Sequence, residues 1–276
     1  LSCPTKAVTV EGRLSFVSEG KAWSVAEARD AATDRLSLVS GGPALRRGFM
    51  DIALCQLYPA YLDSYTRYKK ILNQRNALIK DTQQKKISPS TEIWEVYAQQ
   101  MSHLGADIAE RRNKYMCRLE NAVKELFDNM TDGRETPTLT YKSEAFEEDS
   151  LYRALTENID REIKYGATIY GIHKDDIAIK LNGREARLFA SQGQQRSLAL
   201  AMKLAEGEMS REIGGEYPVF LLDDVFSELD SERRKFVLSR LSGRQIIVTS
   251  CEPELFSGGG AEKIINIENG KIIETE

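Results

Sequence analysis

Phe220-Leu221-Leu222-Asp223-Asp224 is the stretch that decides the fold. An apolar run that begins at Val219 ends abruptly in two adjacent carboxylates. Short, wholly apolar runs suit parallel strands buried on both faces. A second such run, Ile246 to Thr249, follows a segment predicted as a helix over Ser231 to Leu241. Strand, helix and strand in that order make a βαβ unit. At the C-terminal edge of a parallel strand, Asp223 points into the crevice where ligands bind in open α/β sheets. One carboxylate there can hold Mg²⁺ beside a triphosphate, and its neighbour Asp224 can polarise the attacking water. Both acids also suit helix-capping positions in a turn, so the stretch alone leaves two readings.

Working outward narrows them. Downstream lies Ser227-Glu228-Leu229-Asp230, where Asp230 or Ser231 also fits the N-cap of the following helix. Upstream lies Ser191-Gln192-Gly193-Gln194-Gln195-Arg196-Ser197, directly before a helix predicted to start near Gln192 and to be amphipathic over Leu198 to Met209. A serine hydroxyl, a glycine backbone and the unpaired amides of a helix N-terminus together make an anion site. Gly193 lets a phosphate come close to the backbone. The bland alternative is a Ser-capped amphipathic helix. In combination these segments resemble the signature sequence, Walker B strand and D-loop of ABC-type ATPases, in order and at ABC spacing. Ala190 stands where transporters have Leu, and Gln192 where they have the first Gly. Thr249, Ser250 and Cys251 stand where transporters often carry a His.

Two further segments narrow the branch. Gly171-Ile172-His173-Lys174-Asp175-Asp176 precedes a predicted hairpin (Ile177 to Leu181, the turn Asn182-Gly183, then Ala186 to Phe189) and Ser191-Gln192-Gly193-Gln194-Gln195-Arg196. Leu38-Val39-Ser40-Gly41-Gly42-Pro43 is followed by Arg46-Arg47 and Phe49-Met50-Asp51, and Gln74-Arg75-Asn76 comes later. These residues resemble the RecF family over about residues 36 to 276. The resemblance implies a mixed α/β fold, part of an ABC-type ATPase head, with an antiparallel helical-hairpin arm. It implies that Ser191, Gly193 and Gln194 face the γ-phosphate held by a partner protomer. It further implies Asp223 as the magnesium ligand, Asp224 as the catalytic carboxylate and Asp230 as the D-loop acid. The cofactors it implies are ATP and Mg²⁺. The activity implied is ATP-dependent dimerisation on single-stranded or gapped duplex DNA, in DNA replication, repair and the SOS response. RecO and RecR, which load recombinase, are the implied partners. For His173, Asp175 and Asp176 the residues themselves favour a buried polar network under the hairpin.

One element of such a head is missing. No G-x-x-x-x-G-K-[ST] phosphate loop occurs anywhere in the chain. Neither Gly41-Gly42-Pro43 nor Ser257-Gly258-Gly259-Gly260 leads into Lys-Ser/Thr. The expectation is an N-terminal truncation, or a shifted reading frame ahead of Arg35, and weak or no ATP binding by this chain alone. The first residue is Leu, so the natural start is expected upstream. An alternative function is a non-catalytic module of an SMC-like head that docks a partner protein.

The rest of the chain divides into an unassigned segment (1–36), a helical arm (37–135) and a C-terminal ATPase lobe (136–276). In the first, Leu14 to Val17 reads as a strand, and Ala22 to Ala32 as a helix capped by Ser24. The arm reads as one helix over 44–80 interrupted at Pro59, then a second from Thr91 to Met130 closed by Asp132-Gly133. Tyr58, Tyr61, Tyr65, Tyr68 and Leu72 form a helical stripe expected to pack on the second helix. Arg67, Lys69, Lys70, Arg75, Lys80, Lys85 and Lys86 against Asp81 offer a phosphate-contacting face or a solvated one. In the lobe, Thr138 to Tyr141 reads as a strand, Leu151 to Tyr165 as one helix, and Ile264 to Ile267 with Lys271 to Glu274 as a terminal hairpin.

Composition sets the outer bounds. Of 276 residues, 41% are apolar, enough for a real core, and 29% are charged, which suits long solvated helices. A net charge of −4 argues against a basic coat over the whole surface. The four cysteines form no C-x-x-C pair, which fits a reducing, cytoplasmic location. No stretch approaches the roughly 20 apolar residues of a membrane span, and no signal peptide is expected.

Overall fold

A computed structural model of the chain describes residues 7–10, 13–18, 21–24, 38–223, 225, 229–250, 264–268 and 271–275. The chain forms two compact units, Leu1–Pro218 and Val219–Glu276.

The first unit opens with an antiparallel meander of β1 (Ala7–Val10), β2 (Arg13–Ser18) and β3 (Lys21–Ser24). The strand expected over Leu14 to Val17 lies inside β2. The helix expected from Ala22 is corrected at its start. The backbone is extended there, with Trp23 opposite Phe16 and Ala22 opposite Val17 in the register of β2 and β3. The remainder of that expected helix lies outside the described residues.

The arm follows. Helices α1 (Pro43–Leu57) and α2 (Pro59–Gln83) are separated by Tyr58 alone, which is extended at φ −135°, ψ 100°. Proline disfavours helical geometry in the residue before it and suits the first helical position, so Pro59 both ends one helix and starts the next. Helix α3 (Thr91–Thr131) runs back along α2 and ends with Asp132 in the left-handed conformation, followed by Gly133 at φ +69°. Tyr61, Tyr68, Leu72 and Ile79 of α2 are buried, as are Ala98, Met101, Ile108 and Tyr115 of α3. Gly105 of α3 lets another helix close in. A Cβ there would lie 2.8 Å from Leu151 Cδ2 of α4 (Glu148–Glu157).

β4 (Pro137–Lys142), β5 (Asp176–Leu181) and β6 (Arg184–Glu185) make an antiparallel sheet in that order. Asn182 and Gly183 both adopt positive φ, 51° and 77°, as a two-residue hairpin turn requires. The second strand of this hairpin is shorter than the sequence implies. Pairing stops at Glu185, and Ala186–Phe189 forms a helical turn, α6, closed by the Ala190 amide on the Ala186 carbonyl. The single helix expected over Leu151 to Tyr165 is likewise two, α4 and α5 (Ile159–Tyr165). Asn158 sits between them at φ −108°, its side chain turned back to donate to the Ala154 carbonyl. Helix α7 (Gln192–Gly214) carries the largest run of buried residues after α3, among them Leu198, Leu200, Met202, Leu204 and Met209.

The second unit contains the βαβ element: β7 (Phe220–Asp223), α8 (Ser231–Leu241) and β8 (Ile246–Thr249). β7 and β8 are parallel, with Phe220 opposite Ile246 and Asp223 opposite Thr249. β9 (Ile265–Glu268) and β10 (Lys271–Thr275) pair antiparallel as the terminal hairpin.

Candidate nucleotide site

Ser191 is the N-cap of α7, at φ −62°, ψ 161°. Its hydroxyl oxygen accepts from the Gln194 amide at 3.2 Å, and its own amide donates to Gln194 Oε1 at 2.8 Å. This reciprocal capping box is why the helix starts at Gln192. Gly193 and Gln194 therefore lie in the first helical turn. Gln194 is not free to turn outward, because its Nε2 donates to Glu135 Oε1 at 2.8 Å. Both ends of its amide are thus occupied within the chain. Ser191 is exposed, and a hydroxyl that accepts one hydrogen bond still has its proton to donate. Among the described residues the amides of Gln192 and Gly193 meet no acceptor, as the first positions of a helix require. The arrangement can present one hydroxyl and two amides to an anion.

Asp223 is the last residue of β7, at the C-terminal end of a parallel strand. Asp224, Ser227 and Glu228 lie outside the described residues. Asp230 is the N-cap of α8: its Oδ1 accepts from the Arg233 amide at 2.9 Å, and Oδ2 lies 3.5 Å from Arg233 Nε. It therefore caps its own helix, one of the two readings its sequence position allowed. Among the described residues no three His, Cys, Asp or Glu side chains gather as a metal cage. Ser191, Gly193 and Gln194 belong to the first unit, Asp223 and Asp230 to the second.

The Gly171–Asp176 segment forms the buried polar network that the sequence favoured, and the arm supplies its cations. Arg112, in the middle of α3, is 1% exposed. It lies 2.8 Å from Asp51 and 2.7 Å from Asp175, and donates to the Ile172 carbonyl at 2.8 Å. Tyr61 donates to Asp51 at 2.6 Å, and the Tyr141 hydroxyl donates to Asp175. Burial opposes the Arg112 charge, but Asp51 and its neighbours outweigh it and hold the guanidinium well above its ordinary value. Burial lifts the Asp175 carboxyl above the usual carboxylate range, against its bonds to Tyr141 and Arg112. Asp176 ends below that range: burial would raise it, and the two-pronged bond from Arg46, at 2.7 and 2.9 Å, more than offsets this. Arg47 donates to the Asp175 carbonyl at 2.7 Å.

A second buried pair joins α2 to α5. Arg75 and Glu162, both fully buried, approach to 2.6 Å, and Arg75 also donates to Thr168 Oγ1 and the Leu155 carbonyl. Arg75 is thereby withdrawn from the basic face expected on α2. His173 sits between Tyr68 (Nδ1, 3.3 Å) and the Thr168 carbonyl (Nε2, 3.0 Å). A carbonyl only accepts, so Nε2 carries the proton and Nδ1 accepts from Tyr68. Burial pushes the imidazole pKa from 6.5 down to about 4. Gly171, at φ +123°, passes so close to Tyr68 that a Cβ would collide with its hydroxyl.

What sequence reading missed were the buried pairing roles of Arg112 and Arg75. The signal was present: Arg112 continues the Leu104, Ile108 stripe, and Arg75 stands seven residues after Tyr68, itself seven after Tyr61. A charge on an apolar stripe needs a buried counter-charge, and Gly171–Asp176 holds two acids.

Comparison with known proteins bears on the whole arrangement. The chain is 37% identical over 255 residues to the DNA replication and repair protein RecF of Staphylococcus carnosus, covering 88% of this chain and 69% of that protein. It belongs to the RecF family. The RecF of Clostridium novyi is 38% identical over 218 residues, 78% of this chain and 59% of the relative. The chain thus spans about three fifths to two thirds of the length of its RecF relatives. A solved structure of the recombination mediator protein RecF with ATP, of the RecFOR pathway, superposes with a TM-score of 0.72 at 27% identity, covering 87% of this chain and 68% of that one. A second RecF structure of that pathway, with ATPrS, gives 0.76 at 26%, covering 94% and 75%. The chain shares their mixed α/β fold. No family model matches the sequence.

Proposed function

We propose that this RecF-family chain supplies the signature half of an ATP site shared between two protomers, in a DNA-binding repair ATPase. The observation that carries the reading is the capped start of α7. There Ser191 keeps a hydroxyl proton and the Gln192 and Gly193 amides are unspent. These would meet the γ-phosphate of a nucleotide held by the partner, while Gln194 acts as the brace that fixes Ser191. On the chain's own side, Asp223 would hold Mg²⁺ with phosphate oxygens, and Asp224 would orient the attacking water. Bound ATP supplies the transferable phosphoryl group. Asp230 contributes by fixing the start of α8.

A P-loop holds most phosphate contacts through its amides and lysine, and this sequence has none. The isolated chain is therefore expected to bind ATP weakly or not at all, and to act on nucleotide only beside a protomer that has a P-loop. RecF proteins share a pathway named RecFOR. Action at gapped or single-stranded DNA, recombinase loading with RecO and RecR, and the SOS response are the biological setting proposed for the parent protein, in the cytoplasm.

The test is ATP-dependent association. In analytical ultracentrifugation the chain is expected to form a heterodimer with an intact RecF protomer when ATP and Mg²⁺ are present. The Ser191→Arg variant is expected not to. Equal association of both, or association independent of ATP, would favour the non-catalytic docking module instead.

A further inference from the structure

A groove of about 1060 Å³ opens between the turn after β4 and the segment from α5 to Asp176. Small-molecule pockets run to roughly 300–1,000 Å³, so it has room for an extended ligand. Four cations line it: Lys142, Arg161, Lys164 and Lys174. All four are exposed, and among the described residues none of them is in an ion pair. Two of the three acids in its lining are already spent. Asp175 is bonded to Arg112 and Tyr141, and Asp176 to Arg46. Glu144 alone opposes the four positive charges, in a chain whose net charge is −4.

Aromatic rings stand among these cations. Tyr165 is 67% exposed and Phe146 44%. Tyr170 lies beside them, its hydroxyl 3.3 Å from Arg161. Lys174 Nζ lies 5.8 Å from the Tyr165 ring centre. Phe146 packs edge-on against Tyr141, which holds its ring in place at the groove.

The basic surface continues past the groove. Gln83, at the end of α2, donates to the Lys164 carbonyl at 3.1 Å. Lys80 near that end of α2, and Lys85 and Lys86 in the turn after it, are exposed, and among the described residues only Lys86 of the three has a carboxylate in reach, Asp81 at 3.5 Å.

We propose that this groove binds single-stranded nucleic acid. Bases stack on Tyr165 and Tyr170, and Lys142, Arg161, Lys164 and Lys174 hold the phosphates. Flat rings interleaved with cations are what unpaired bases and their backbone require. An acidic peptide would use the cations and leave the ring faces bare. The proposal rests on the reading of the chain as part of a DNA-binding protein, and it names residues that reading left open. It is distinct from the proposed ATP site, since neither Ser191 and Gly193 nor Asp223 and Asp230 line the groove.

The test is fluorescence anisotropy of a labelled oligothymidylate, about 20 nucleotides long, with the whole 276-residue chain. Circular dichroism checks that each variant is folded. Tyr165→Ala is expected to weaken binding about fivefold or more. Lys164→Ala with Lys174→Ala is expected to reduce the slope of log affinity against log salt by about 1.4, from roughly 0.7 for each single-strand phosphate contact. Folded variants that keep the wild-type affinity and slope, while the wild type binds the oligonucleotide, would overturn the groove and leave the DNA-binding reading intact. A wild-type chain that binds neither the oligonucleotide nor a duplex would sink both. A glutamate-rich peptide that binds the groove more tightly than the oligonucleotide would also contradict the proposal.

Discussion

Arg112 shows how much one side chain can hold. Its guanidinium joins Asp51 of α1, Asp175 and the Ile172 carbonyl, so a single cation ties both halves of the arm to the segment before β5. Removing one partner of a buried pair leaves the others uncompensated, at a cost of about 3–5 kcal/mol. Arg112→Ala is expected to lose that much in urea unfolding, and Lys114→Ala on the exposed face under 0.5 kcal/mol. Gly171 is a second such position. Gly171→Ala must move Tyr68 while holding a backbone angle that side chains rarely adopt, and is expected to cost more than 2 kcal/mol by the same measurement. His173 sets a pH dependence whose sign follows from its depressed pKa. The folded chain holds it neutral down to about 4, whereas the unfolded chain protonates it near 6.5. Its contribution is complete above pH 6.5 and is lost as pH falls from 6.5 toward 4, by roughly 3 kcal/mol in all. His173→Gln keeps a donor for the Thr168 carbonyl and is expected to flatten that part of the stability profile. An unchanged slope would mean that other groups carry it.

At the scale of elements, the start of α7 is the feature to test. Gln194 joins the N-cap of that helix to Glu135, four residues beyond the end of α3. Gln194→Ala removes half the capping box and the link to Glu135, and about 1 kcal/mol of thermal stability is expected to go with it. Elements of this kind were legible in the sequence wherever periodicity and punctuation agreed. Pro59 marked the break in the arm, Asp132-Gly133 its end, and the apolar runs at 220 and 246 the parallel pair. What stayed hidden were decisions made by packing. Nothing local stops a strand from continuing through Ala186, and nothing in Leu151 to Tyr165 announces the break at Asn158, which lacks the proline or glycine that marks most breaks. The candidate site was half legible. Ser191 and Asp223 stand at the helix start and strand end their neighbours imply. The internal duties of Gln194 and Asp230 follow from hydrogen bonds that no spacing reveals.

At the scale of the molecule, the proposed function would divide one chemistry between the two units. On that proposal Ser191 would serve a site that a partner's P-loop fills, whereas Asp223 and Asp224 would serve one that needs a P-loop beside them. Calorimetric titration of ATP and Mg²⁺ into the chain alone is expected to show no micromolar binding. The most direct measurement is hydrolysis in a mixture. An intact RecF protomer whose own signature serine is changed to Arg is combined with this chain, so that any active site must pair the protomer's P-loop with Ser191. ATP turnover that rises when the wild-type chain is added, and does not rise with folded Ser191→Arg, is the predicted result. Turnover that is the same with either chain, or absent with both, would contradict the assignment of Ser191 to a shared nucleotide site.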